Sequence, residues 1–129
     1  MTHSDENATP PAAGTPAARA RLESARAAAD AQITALSRDY DGIVAANALA
    51  AVDDEHDPEG SSTAFERAHV GALLGQAREH LEALDRALDR FEQGTYGRCE
   101  VCGEPIPAER LEVLPAATTC TPCASARPR

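Results

Sequence analysis

The chain has 129 residues and a formal net charge of −9, with all twelve basic residues Arg and no Lys. Its apolar fraction is 43%, but it holds only two Tyr, two Phe and no Trp, and alanine makes up much of the apolar share. That composition excludes a wide aromatic core and favours thin helical packing. The acidic balance also argues against sequence-specific DNA binding, which needs clustered cations to displace counterions from phosphates. No apolar run approaches the roughly 18 residues that span a bilayer. Met1 to Glu6 has neither the basic start nor the apolar stretch of a signal peptide, so a cytoplasmic location and no membrane partner are expected.

Residues 1–15 mix Thr, Ser, Pro, Ala and Gly and read as a disordered tail. Thr15-Pro16 then has the form of a helix start, with Thr as N-cap and Pro at the first helical position. From there to about Val52 one long helix is expected. Leu22, Ala29, Leu36, Ile43 and Ala50 recur every seven residues, and Ile33, Tyr40 and Asn47 fill the intermediate positions, which is the alternation of a coiled-coil seam. Arg26 interrupts the pattern and is expected to splay the helix base or to lie along its neighbour.

A second helix is expected from about Ser62 to Gln93, where Val70, Leu74, Ala77, Leu81, Leu84, Leu88 and Phe91 step by four and three. Thr63-Ala64-Phe65-Glu66 has the capping-box form, and Gly94 the form of a stop signal. Two such stripes joined by a short connection pack as an antiparallel coiled-coil hairpin over 16–93. Its arms would be roughly 45 to 55 Å long.

The connection, 53–61, carries five of the chain's carboxylates and no Arg. Asp57-Pro58-Glu59-Gly60 suits a type I turn. More than half of the net charge is thereby gathered at the far end of the hairpin, where mutual repulsion stabilises nothing. One reading is a solvated turn; the other is that the arm presents Asp53, Asp54, Asp57 and Glu59 to something cationic.

Cys99-Glu100-Val101-Cys102 and Cys120-Thr121-Pro122-Cys123 are two CxxC pairs with 17 residues between them, the spacing of a tetrahedral zinc site. Four thiolates would close the coordination shell, so Cys99, Cys102, Cys120 and Cys123 predict one structural Zn2+ and no open position for substrate. A redox CxxC is the lesser alternative, since no βαβ pattern surrounds either pair. The segment between the pairs has apolar residues enough for short strands and a small cap. The region 94–123 therefore reads as a zinc ribbon, and 124–129 as a short C-terminal tail. His3, His56, His69 and His80 share no ligand spacing. With no phosphate loop, nucleophile elbow or HExxH motif, no catalytic residue is assigned and no enzyme is expected.

The run Tyr96-Gly97-Arg98-Cys99-Glu100-Val101-Cys102-Gly103-Glu104-Pro105-Ile106, then Arg110-Leu111-Glu112-Val113-Leu114-Pro115, then Cys120-Thr121-Pro122-Cys123 resembles the DksA/TraR zinc-finger family. The resemblance covers roughly 53–123 in motif order. It implies a transcription regulator that binds RNA polymerase by inserting its coiled coil into the secondary channel, and it carries the zinc ligands to the four cysteines. The acidic tip would then meet a Mg2+-containing site among basic groups. The family's tip has two aspartates three apart and then an alanine. Asp54 and Asp57 keep that spacing, whereas Glu59 stands at the alanine. Six residues follow Cys123 and the chain has no lysine, so ppGpp is not expected to be required. The alternative function is a zinc-ribbon coiled-coil adaptor, unrelated to transcription, that uses its helix flanks to bind other proteins.

Overall fold

The computed structural model describes residues 13–53 and 58–126, and side chains outside 50–61. In chain order the elements are α1 (Pro16–Asp53), α2 (Pro58–Gln93), α3 (Ala108–Val113) and α4 (Thr121–Ala126). The class is mainly α, with two long helices packed together and the four cysteines near one another. Two compact units divide the chain. One combines residues 13–26 with 82–126, and the other spans 27–81.

In the first unit, α1 starts where its sequence signals place it. Ala18 N–H donates to Thr15 Oγ1 at 3.0 Å and Arg19 N–H to the Thr15 carbonyl at 3.0 Å, so Thr15 satisfies donors that a helix end leaves orphaned. The seam buries Leu22 and Leu84 fully, and Ala18 and Ala87 are buried with them. Burial of each Leu contributes about 1.5–3 kcal/mol. Arg26 lies along its neighbour rather than splaying the base, with Nε donating to Asp85. Arg19 donates to Glu23 on its own helix and to Glu92 across the seam, and its guanidinium sits 5.5 Å from the centre of the Phe91 ring. These pairs fix α1 and α2 as antiparallel. Being half exposed, they set register more than stability.

α2 ends in a Schellman turn at Gly94 (φ +80°): Gly94 N–H donates to the Phe91 carbonyl at 3.2 Å and Thr95 N–H to the Arg90 carbonyl at 2.9 Å. The positive φ is what makes glycine the fitting residue there.

In the second unit the same heptad positions face inward. Ala29, Leu74 and Ala77 are buried, and Ile33, Leu36, Tyr40, Ile43, Val70 and Leu81 are half-buried. Gly71 permits a close approach: a Cβ there would stand 3.3 Å from Tyr40 Cε2.

Two differences from the expected architecture have physical causes. α2 begins at Pro58, four residues before Ser62. Proline fits the first helical position because its φ is preset and its missing N–H has no helical partner to lose. That preference outweighs the turn character of Gly60 and Ser61, so Pro58-Glu59-Gly60 is helix rather than turn, and Thr63 lies inside the helix rather than at its cap. Secondly, among the described residues the region between the cysteine pairs forms no strand; its one β feature is an isolated antiparallel bridge from Arg98 to Pro105. Pro105 and Pro107 lack the N–H a ladder needs, and the apolar stretch after Pro107 closes into α3 instead. α4 ends at Ala126, less than a turn past the second cysteine pair. Residues 1–12, Asp54, Asp57 and 127–129 lie outside the described residues, so most of the expected tail, two of the four tip residues and the last three positions do too. Asp53 and Glu59 are described as backbone, at the last residue of α1 and the second of α2.

Candidate metal centre

The first cysteine pair is built on a backbone turn. Cys99 N–H donates to the Glu104 carbonyl at 2.8 Å, and Gly103 N–H returns to the Cys99 carbonyl at 2.9 Å. Gly103 takes φ +78°, which lets the chain reverse so tightly. Arg98 braces the turn through Nη1, donating to the Gly103 carbonyl at 2.8 Å. The same turn aims Cys102 N–H at Cys99 Sγ, 3.5 Å away, so a backbone donor faces the sulfur.

The second pair sits at the start of α4. Ala124 N–H donates to the Cys120 carbonyl at 2.9 Å, closing the helical turn that carries Cys123. Two contacts hold this pair against the first. Glu100 N–H donates to the Thr118 carbonyl at 2.9 Å, and Arg110 Nε on α3 donates to the Thr119 carbonyl, also 2.9 Å, just before Cys120. Beneath them Tyr96, Ile106 and Leu111 form the small apolar core. The Tyr96 hydroxyl is not left orphaned: it donates to the Pro115 carbonyl at 2.8 Å. Val101, Val113 and Leu114 are exposed, so the apolar cap is narrower than the sequence suggests.

Gly97 (φ +88°) closes this core against the start of the chain. A Cβ there would lie 2.3 Å from Ala13 Cβ and 3.6 Å from Leu111 Cδ1, which leaves room for hydrogen alone.

The four Sγ atoms all lie within 4.8 Å of one another, and Cys102 and Cys120 are 3.7 Å apart. A tetrahedral shell with Zn–S bonds of about 2.3 Å has sulfur–sulfur edges of about 3.8 Å, so the donor set fits one such ion. Cys99 and Cys120 are buried, Cys123 is half-buried and Cys102 is exposed.

The thiols are electrostatically unequal. Burial pushes Cys99 up, but hydrogen bonds to its sulfur from the backbone of Cys102, Cys120 and Val101 outweigh it and bring its pKa down to about 6. Cys123 is pushed up to about 12, mainly by hydrogen bonding with Cys120 and Cys102 and then by burial. A backbone hydrogen bond at Glu104 favours the Cys102 thiolate, yet burial and the neighbouring sulfurs leave that pKa raised. One sulfur is thus ready to ionise, while two others hold their protons until a cation compensates the crowded negative charge.

Residues 94–129 match the prokaryotic DksA/TraR C4-type zinc-finger family. Over 58 residues the chain is 51% identical to the RNA polymerase-binding transcription factor DksA of Caulobacter vibrioides, a span covering 45% of this chain and 41% of that protein. Over 66 residues it is 47% identical to YteA, an uncharacterised protein of Bacillus subtilis, covering 51% of this chain and 28% of YteA. The solved structure of the transcription factor DksA2 from Pseudomonas aeruginosa superimposes with a TM-score of 0.66 at 26% identity, covering 84% of this chain and 78% of that one. Residues 94–129 are a zinc finger of the DksA/TraR C4 type. The chain matches less than half the length of these curated relatives.

The DksA/TraR finger accounts for the clustering of Cys99, Cys102, Cys120 and Cys123 that their spacing predicts. Tyr96 and Arg110 stand in the run that carries the resemblance, but the sequence assigns them no role, because each clamps a backbone carbonyl and a carbonyl partner is not named by any residue type. His69 and His80 are exposed, and His69 stacks on Phe65 with ring centres 6.5 Å apart. Among the described residues no helix is long and apolar enough to cross a membrane.

Proposed function

We propose that this protein is a DksA-like transcription regulator that binds RNA polymerase, acting by binding rather than by catalysis. The observation that carries the reading is the likeness to the DksA2 structure across 84% of this chain, supported by 51% identity to a polymerase-binding DksA over 58 residues. Cys99, Cys102, Cys120 and Cys123 hold one structural zinc ion. When bound, zinc supplies the cross-link that keeps a segment with a very small core folded. The antiparallel helices enter the polymerase secondary channel, and Asp53, Asp54, Asp57 and Glu59 form the acidic tip. A tip that holds more than half of the net charge steers toward a basic, Mg2+-containing channel, since opposite potentials raise encounter rate and fix orientation. The protein works in the cytoplasm, without sequence-specific DNA contacts and without requiring ppGpp.

The test is binding of purified, zinc-loaded protein to core RNA polymerase in low salt. Saturable binding at micromolar protein or below, weakening as salt rises, is expected. No binding under those conditions would overturn the reading and favour the adaptor alternative.

A further inference from the structure

In the second unit, Ser37, Tyr40 and Asp41 of α1 and Gly71, Leu74 and Arg78 of α2 line an open cleft of about 520 Å³, within the size range of small-molecule sites. Tyr40 and Asp41 stand three and four residues after Ser37, and Leu74 divides Gly71 from Arg78 by the same steps, so each set shares one helix face. Glycine makes the room. A Cβ at Gly71 would stand 3.3 Å from Tyr40 Cε2, and glycine in a helix interior otherwise only weakens the helix. Tyr40 against Gly71, with Leu74 buried beside them, gives the cleft an apolar middle. Towards the connection Ile43 and Ala46 share a second groove with Thr63 and Glu66, so later residues of α1 meet earlier ones of α2. That direction puts Asp41 at one end of the cleft and Arg78 at the other, and the stretch from Gly71 to Arg78 alone rises roughly 10 Å along the helix. Asp41 and Arg78 are exposed, and Ser37 and Tyr40 half-buried. Among the described residues no ion pair or hydrogen bond engages any of these four side chains.

The geometry points to a binding site in this cleft for a small linear zwitterion, with its ammonium at Asp41, its carboxylate at Arg78 and an apolar body between, the chemistry of a tripeptide with free ends. A guanidinium fork matches a carboxylate, and an extended tripeptide spans at most about 10 Å, the length of the cleft between its charged ends. The Ser37 and Tyr40 hydroxyls offer donors and acceptors to the peptide groups in the middle. The chain's net charge of −9 repels a ligand that is only anionic, and a ligand that is only cationic leaves Arg78 without a counter-charge. A zwitterion is neutral overall and answers both ends. The site contains no zinc ligand and no residue of the proposed tip.

The test titrates the zinc-loaded full chain with glycyl-leucyl-glycine at constant ionic strength, following backbone amide resonances. Saturable shifts centred on 37–41 and 71–78 are expected, with a Kd of about 1 mM or below. Acetylating the peptide's amino end, or amidating its carboxyl end, removes one charge and should weaken binding about threefold or more. Asp41→Asn and Arg78→Gln should each weaken the unblocked peptide as much. Acetylation should then cost nothing further in Asp41→Asn, nor amidation in Arg78→Gln, because a pair loses its interaction only once. Should either variant unfold by circular dichroism, the blocked peptides on the native protein still decide the matter. Shifts that do not saturate, that spread over the chain, or that keep their affinity after blocking or in the folded variants would overturn the inference.

Discussion

Gly97 shows how one position can be closed to every side chain. Its φ of +88° is a conformation other residues adopt at a cost of about 1–2 kcal/mol, and a Cβ would stand 2.3 Å from Ala13 Cβ. Gly97→Ala is therefore expected to lower the stability of the zinc-loaded protein by at least about 2 kcal/mol, read from chemical denaturation. An unchanged midpoint would show that residues near Ala13 give way freely. The cysteines make a second residue-scale prediction. At pH 7 Cys99, with a pKa of about 6, is already mostly thiolate, whereas Cys102 and Cys123 hold their protons. Zinc requires thiolates, so binding must expel protons and apparent affinity must rise with pH. The slope of log affinity against pH should be at least roughly two above pH 6 and steepen below it, as Cys99 protonates too. A competition titration against a chelator of known pH dependence measures this, and a flat profile would contradict the assignment of these sulfurs as ligands.

At the scale of elements, the heptad seams were legible because a seven-residue apolar repeat has few other uses. Leu22, Leu74 and Leu84 are buried where that repeat places them. Ala87 is equally buried but silent in the sequence, since alanine is common on every face of these helices. α3 and α4 have six residues each, too short for a period to show, and their boundaries follow from prolines and backbone hydrogen bonds instead. The cysteine spacing gave the candidate ligands but not the clamps, because Tyr96 and Arg110 bind carbonyls. The finger and the helix segments 16–26 and 82–93 fall in one compact unit, with Phe91 and Tyr96 ring centres 5.9 Å apart. Loss of zinc should therefore loosen those helix segments as well as the finger, rather than the finger alone. Cys120→Ser is expected to raise hydrogen exchange across 82–126 while residues 27–81 keep most of their protection. Unaltered exchange over 82–93 would show the finger to be separable, and loss of protection throughout would show that zinc holds the whole chain.

On the scale of the whole molecule, charge and cross-link are segregated along the sequence. Five carboxylates crowd the connection between the long helices, and the four cysteines lie near the C-terminal end of the sequence. Repulsion among like charges disfavours their proximity. The carboxylates are explained if they act on a partner, and on that account the finger serves stability while the tip serves function. The two roles can be cut apart by substitution, because a charge-to-amide exchange removes the negative charge while nearly preserving side-chain size.

The most direct measurement compares the zinc-loaded native protein with a variant carrying Asp53→Asn, Asp54→Asn, Asp57→Asn and Glu59→Gln, in transcription reactions with purified RNA polymerase. The account predicts that the native protein changes transcript yield and that the variant, equally helical and equally zinc-loaded, has lost most of that effect. A variant that alters transcription as strongly as the native protein would contradict it.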